Sequence, residues 1–312
     1  MRFASTRRGE TRAPSQYSTW HCIRLLTYLV ILAVSADARE TTHRADGGSI
    51  DAFTGLLGSG GWIASGRSVT PDAIADLYAG PSAISGAEGT TLLTSYGEPY
   101  RRIDGFNLGS ISLVTDKWKL ARIGVSYDRL QIGGLREATS AGALTGRTFD
   151  VSYDAARISA ASRFGRFGAG ASLNYFGVSI QNSSTSRFGL DLGGDVEFVN
   201  ARVLLNVRNI SGDRNDADRL PITGEIRGEW SPYAQMHLGV GGTWREDAVG
   251  EYNVGIQYDI FKMISLLAGY QSGPKEWSAG AIGRYQKINL QYAISAHREL
   301  DFSHTISLGV SF

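Results

Sequence analysis

Residues 301–312 read D-F-S-H-T-I-S-L-G-V-S-F. Phe302, Ile306, Leu308, Val310 and Phe312 fall on every second position, and Ser303, Thr305, Ser307, Gly309 and Ser311 fill the alternate ones. A strand here has one greasy face and one small, polar face. Two architectures use such a strand. In a soluble antiparallel sheet the greasy face is a core. In a membrane barrel it meets lipid, the polar face meets a wet lumen, and a last strand ending on an aromatic pairs with the first to remove the open edge.

The rest of the chain separates the two. From residue 90 onward fourteen strand candidates can be placed, at 90–97, 105–115, 118–132, 147–162, 165–181, 187–198, 200–210, 222–231, 234–246, 251–261, 263–272, 276–286, 288–298 and 301–312. Shared among fourteen strands, this region gives about 16 residues per strand and turn, which suits membrane strands of roughly 9–11 residues with alternating loops. Tight joints at Asp116-Lys117, Phe164-Gly165, Val199-Asn200, Lys287 and Leu300-Asp301 leave no room for helices, so the sheet meanders antiparallel. Alternation is regular at Tyr252, Val254, Ile256, Tyr258 and Ile260, at Ile288, Leu290, Tyr292 and Ile294, and at Phe188, Leu190, Leu192, Val196 and Phe198. Tyr153, Tyr175, Trp230, Trp244, Tyr252, Trp277 and Tyr285 near strand ends supply the aromatic girdles of a bilayer interface. The phase slips between Leu108 and Ile111, which predicts a bulge there. The fold expected is an all-β, transmembrane, up-and-down barrel of about 14 strands spanning 90–312.

Upstream, Arg2, Arg7, Arg8, Arg12 and Arg24 precede the apolar run 25–34 and then Ala36-Asp37-Ala38. That order reads as a signal peptide over 1–38, since the run is too short for a permanent span. Cys22, the one cysteine, lies ahead of the apolar run, leaving the mature chain without a disulfide or a thiolate metal site. Segment 39–89 is Gly- and Ser-rich and holds one short helix candidate: Thr70-Pro71-Asp72-Ala73 opens it, Ile74, Leu77 and Tyr78 give it an apolar face, and Gly80-Pro81 stops it. Two turns of helix cannot stand alone in water, so the segment is expected to dock as a plug at the barrel mouth or in its lumen.

Composition agrees with strands: 39 Gly, 7 Pro, 14 Tyr, 12 Phe and 6 Trp in 312 residues. A net charge of +1 gives no reason to expect a nucleic-acid partner. Mean hydropathy slightly below zero is compatible with a barrel, whose strands hide their apolar half by alternation.

The stretch Asp72-Ala-Ile-Ala-Asp76-Leu77-Tyr78-Ala-Gly80-Pro81-Ser-Ala-Ile84 resembles the segment ahead of the first strand in FadL-type barrels, the PorV/PorQ group above all, where an aspartate-rich turn runs into Leu-Tyr-Trp-Asn-Pro-Ala-Gly-Leu. The Leu-Tyr, the Pro and the small-small-aliphatic ending match; Ala79-Gly80 stands where that motif has Trp-Asn. Val207-Arg208-Asn209-Ile210 and Leu220-Pro221 resemble a loop and strand start midway along the same barrels. The resemblance implies a fourteen-stranded outer-membrane barrel whose N-terminal segment can enter the lumen. It also implies a part in transport of hydrophobic compounds or in protein secretion, with secretion-system proteins or a hydrophobic small molecule as partner. Outer-membrane lipid and, through the C-terminal strand, the barrel-assembly machinery are the other partners expected.

Alternation also assigns an inward set of charges: Arg122, Asp191, Asp195, Glu197, Arg202, Arg208, Glu225, Arg227, Glu229 and Arg245, together with Asp128, Asp150, Asp154, Asp259 and Arg284. A selective pore shows a ring of one sign; this mixture predicts cross-lumen pairs and a filled interior. No G-x-S-x-G, H-E-x-x-H or phosphate-loop pattern occurs, so neither a catalytic residue nor a metal or cofactor is assigned. Gly239-Val240-Gly241-Gly242 reads as strand packing, His237, His297 and His304 are scattered, and Asn182-Ser-Ser is a chance sequon. Two functions fit. One is transport or export through a gated barrel, which requires an apolar cavity against the plug. The other is a sealed scaffold that holds partner proteins by its longest loops, 133–147 and 211–220.

Overall fold

The computed structural model describes Phe53 and residues 56–312, apart from 102–104, 119, 139–141, 143, 182, 211–219, 247 and 299. The signal-peptide reading of 1–38, the beginning of the plug segment and nearly all of the 211–220 loop lie outside these residues.

Fourteen antiparallel strands form one closed barrel. They are β1 Thr90–Glu98, β2 Phe106–Thr115, β3 Arg122–Ala138, β4 Leu144–Phe164, β5 Phe167–Ile180, β6 Ser183–Glu197, β7 Ala201–Arg208, β8 Thr223–Tyr233, β9 Met236–Arg245, β10 Ala248–Phe261, β11 Ile264–Gln271, β12 Glu276–Tyr285, β13 Ile288–His297 and β14 Phe302–Ser311. Each pairs with its chain neighbours, and β1 closes the cylinder on β14, from Thr91 opposite Ser311 to Glu98 opposite His304. The final residue takes part: Phe312 N–H donates to the Thr90 carbonyl at 2.8 Å. Both barrel termini therefore sit at one end with the joints 165–166, 234–235 and 286–287, and we call this the periplasmic end.

The outer wall is apolar. Ile306 and Leu308 are each 49% exposed, and Leu173, Leu205, Val254, Leu266 and Leu290 are exposed beside them. A continuous exposed belt of this kind is far larger than the patches soluble proteins tolerate; hydrocarbon is the solvent that makes it stable.

Four expectations are corrected. β2 carries no bulge: its register to β1 and β3 is unbroken, and Phe106, Leu108 and Val114 simply face inward, onto apolar neighbours inside the barrel. The same applies to Tyr153, which leaves the outer girdle to pack its ring 5.5 Å from Phe53. Asp150 and Asp154 fall on the outward phase of β4, where Asp154 accepts from the outward Tyr127 hydroxyl. Finally, 133–147 is mostly not loop, since β3 and β4 continue into it as a hairpin with exposed side chains from Leu144 to Thr148. At 21 residues β4 is about twice the length a bilayer crossing needs, so the lipid-out rule ends partway along it.

Candidate functional site: the plugged lumen

Residues 59–87 run inside the cylinder. Helix α1 is Gly60–Ala64 and helix α2 is Ala73–Ala79, followed by a 3-10 turn at Ala83–Gly86. Such short helices survive only by docking. Ile74, Leu77 and Ile84 are fully buried, and their cluster includes Leu93, Val114 and Leu204 of the wall. This apolar contact supplies the core that a barrel of this width would otherwise lack.

Close approach depends on what the wall does not carry. Where the plug backbone passes, inward wall positions are glycine: a Cβ at Gly239 would lie 2.0 Å from the Ser68 carbonyl oxygen, at Gly255 2.0 Å from that of Ser65, and at Gly170 2.5 Å from that of Pro81. Inward serines do the polar part, as where the Ser307 hydroxyl accepts from Gly60 N–H at 2.9 Å.

Each end of α2 is satisfied differently. Asp72 caps the start, accepting from the N–H groups of Ile74 and Ala75 at 2.9 and 2.8 Å, while its other oxygen accepts from Gln291 at 2.5 Å. The open carbonyls at the other end meet cations of the wall. Arg157 donates to the Leu77 carbonyl at 3.0 Å, Arg208 to that of Tyr78 at 3.1 Å, and Asn206 and Arg227 to that of Ala79 at 3.0 and 3.1 Å. Asn206 fills the space a side chain on Gly80 would need, 2.3 Å from a built Cβ, so this barrel has no room for the larger residue of the resembled motif. The Tyr78 hydroxyl donates to Asp128 at 2.8 Å and bonds Ser112 at 3.0 Å, and buried Pro81 turns the chain toward β5 and β6.

All ten lumen charges singled out above project inward, but their pairs do not cross the lumen. They link adjacent strands, β4 to β6 over the intervening β5, or wall to plug. Arg202 is the hub, reaching Asp76 at 3.0 Å, Asp195 at 3.3 Å and the Ala83 carbonyl at 2.5 Å. Asp195 also takes Arg163 at 2.9 Å, and Arg163 pairs with Glu197. Arg208 pairs with Glu225 at 2.9 Å, Glu229 accepts from Thr70 at 3.0 Å, Asp191 accepts from Asn209 N–H at 3.0 Å and Arg122 donates to the Ala87 carbonyl at 3.4 Å. Burial pushes the carboxyls of Asp72 and Asp76 up; the two helix-cap bonds oppose this at Asp72 and the Arg202 charge at Asp76. Arg157, Arg163 and Asn206 went unread in the sequence, although their inward phase and residue type were there to find, and the glycines read there as strand packing turn out to seat the plug.

One histidine does meet a serine. Ser231 bonds His237 Nδ1 at 2.8 Å, and Asp259 stands 3.7 Å from Nε2. The ring nitrogens are used in the reverse order of a serine-hydrolase triad, and the site is a rim contact.

Above the plug, at the external end, lies a cavity of about 360 Å³. Leu56, Leu57, Trp62, Tyr78, Tyr100 and Phe176 form its apolar wall. Arg157, Arg208, Arg227 and Arg245, with Glu251 and Glu276, line it too, and the Arg227 guanidinium lies 4.6 Å from the Trp62 ring centre.

An apolar belt, a closed meander of fourteen strands and a plug stitched to the inner wall define a plugged outer-membrane barrel. Among solved structures the chain is similar to the toluene transporter TodX of Pseudomonas putida, at 13% identity over 82% of this chain and 98% of that one, with a TM-score of 0.60. A FadL homologue of Pseudomonas aeruginosa is similar at 10% identity over 82% and 98%, with a TM-score of 0.56. No protein-family model and no curated protein matches the sequence. At such identities the likeness is one of fold.

Proposed function

We propose that this barrel passes hydrophobic compounds across the outer membrane, with the plug as its gate. The observation that carries this reading is the cavity: an apolar wall at the external mouth whose floor is the plug itself, so that a molecule resting there lies against the element that must move. The fold shared with a toluene transporter and a FadL homologue supports it.

A locked plug tests the reading. Gly60 and Ser307 face each other across the plug–wall seam, and the described residues contain no cysteine to interfere. In the double variant Gly60→Cys, Ser307→Cys the oxidised protein should lose uptake of a hydrophobic tracer into proteoliposomes, and reduction should restore it. Equal uptake in both redox states would refute a moving gate.

The scaffold or secretion reading, which the PorV/PorQ resemblance brings, is supported by the β3–β4 hairpin with its exposed residues 144–148. It makes the opposite prediction: partner capture should survive the lock, and deletion of 139–147 should abolish it.

A further inference from the structure

Arg67 closes the turn after α1 with a left-handed backbone, φ 60°, and its half-buried side chain lines the cavity. Its guanidinium, with five donors, makes no hydrogen bond or ion pair within reach among the described residues, and its Nε is sealed from solvent. Three acidic or phenolic groups lie close enough to be felt, Glu276, Tyr100 and Glu251, yet none bonds to it, and Arg208 repels it. Burial of the guanidinium lowers its pKa, but arginine stays charged, so this is a desolvated cation that no described carboxylate bonds directly. The Nε atoms of Arg208 and Arg227, on the same cavity, are buried without partners as well. The same cavity is lined by the aromatic rings of Trp62, Tyr78, Tyr100 and Phe176.

We propose that the cavity binds compact aromatic monocarboxylates, the carboxylate on Arg67 and the ring against the Trp62–Phe176 wall. This rests on the transport reading and narrows its substrate. A carboxylate supplies the fork that a guanidinium matches with two bonds. A compact ring system of one or two fused rings suits a cavity of about 360 Å³ in which aromatic and charged side chains are interleaved; an extended chain would lay methylenes along Glu251 and Glu276. Glu276, Glu251 and Asp191 set the charge limit, since a second negative group on the ligand would meet them.

The test uses the full barrel in nanodiscs and titration calorimetry with 2-naphthoate, 2-methylnaphthalene, naphthalene-2,6-dicarboxylate and palmitate. The native protein should bind 2-naphthoate, Arg67→Gln should weaken it about tenfold or more, and Arg67→Lys should restore part of the loss. Binding of 2-methylnaphthalene should not respond to either change, and Glu276→Gln should admit the dicarboxylate. Heat-modifiable electrophoretic migration checks that each variant is a folded barrel. Undiminished naphthoate binding by folded Arg67→Gln, or palmitate displacing naphthoate with higher affinity, overturns the proposal. If 2-methylnaphthalene is taken up while naphthoate does not bind, the carboxylate site falls and the transport reading stands. If naphthoate binds through Arg67 but neither compound enters proteoliposomes, the site stands and the transport reading falls.

Discussion

At the scale of single residues, the interior is shaped by absent side chains as much as by charges. Glycine in a strand usually weakens it. Here Gly239 and Gly255 allow the carbonyls of Ser68 and Ser65 to approach the wall at distances no Cβ would allow. Gly239→Ala and Gly255→Ala should therefore push the plug off its seat, an overpacking cost of about 1–3 kcal/mol. Limited trypsin digestion reads this as faster cleavage at Arg67 with the barrel intact. Gly109→Ala is the control, because nothing lies within 4 Å of the added atom. The run 239–242 suggested packing from sequence, but which partner it packs on follows only once a segment some 170 residues upstream is placed against it.

At the scale of elements, two short helices are held by a wall they did not specify locally. α2 starts as its sequence dictates, on an Asp cap, but its last carbonyls are closed by Arg157, Asn206, Arg208 and Arg227 from β4, β7 and β8. Arg202 ties Asp76 to Asp195, the latter with a fully buried side chain. Removing the cation in Arg202→Gln leaves the Asp76 carboxylate of the plug without its ion pair, while Asp195 keeps Arg163, and should weaken plug docking by about 3–5 kcal/mol. The expected outcome is plug proteolysis at a denaturant concentration well below that which opens the barrel; coincident transitions would show that Arg202 does not hold the plug. Pairing of charges along the same side of the wall or with the plug, rather than across the lumen, follows from the plug's occupation of the middle.

At the scale of the whole molecule, the outside obeys one rule and the inside another. The belt requires that Leu308 face hydrocarbon while Ser307, next to it, faces the plug and bonds Ser95 at 2.8 Å. Leu308→Arg should cost about 2–4 kcal/mol of folding free energy in lipid vesicles, the price of a cation at the bilayer midplane. Urea titration of vesicle-embedded protein measures it; a loss near zero would mean the β14 outer face is not in hydrocarbon.

The sequence by itself determined the meander and its fourteen strands, because a period of two with short polar joints is a local signal and each strand carries its own copy. It also determined which face of β10, β13 and β14 is apolar. Tertiary structure decided where that pattern changes meaning. Phe106, Leu108 and Tyr153 turn inward because the plug gives the lumen a second apolar surface, and Asp150 and Asp154 turn outward because β4 runs on past the bilayer. Arg67, the residue on which ligand choice is proposed to rest, is silent in the sequence: a lone arginine between a glycine and a serine acquires a role only through the cavity that strands from all round the barrel build around it.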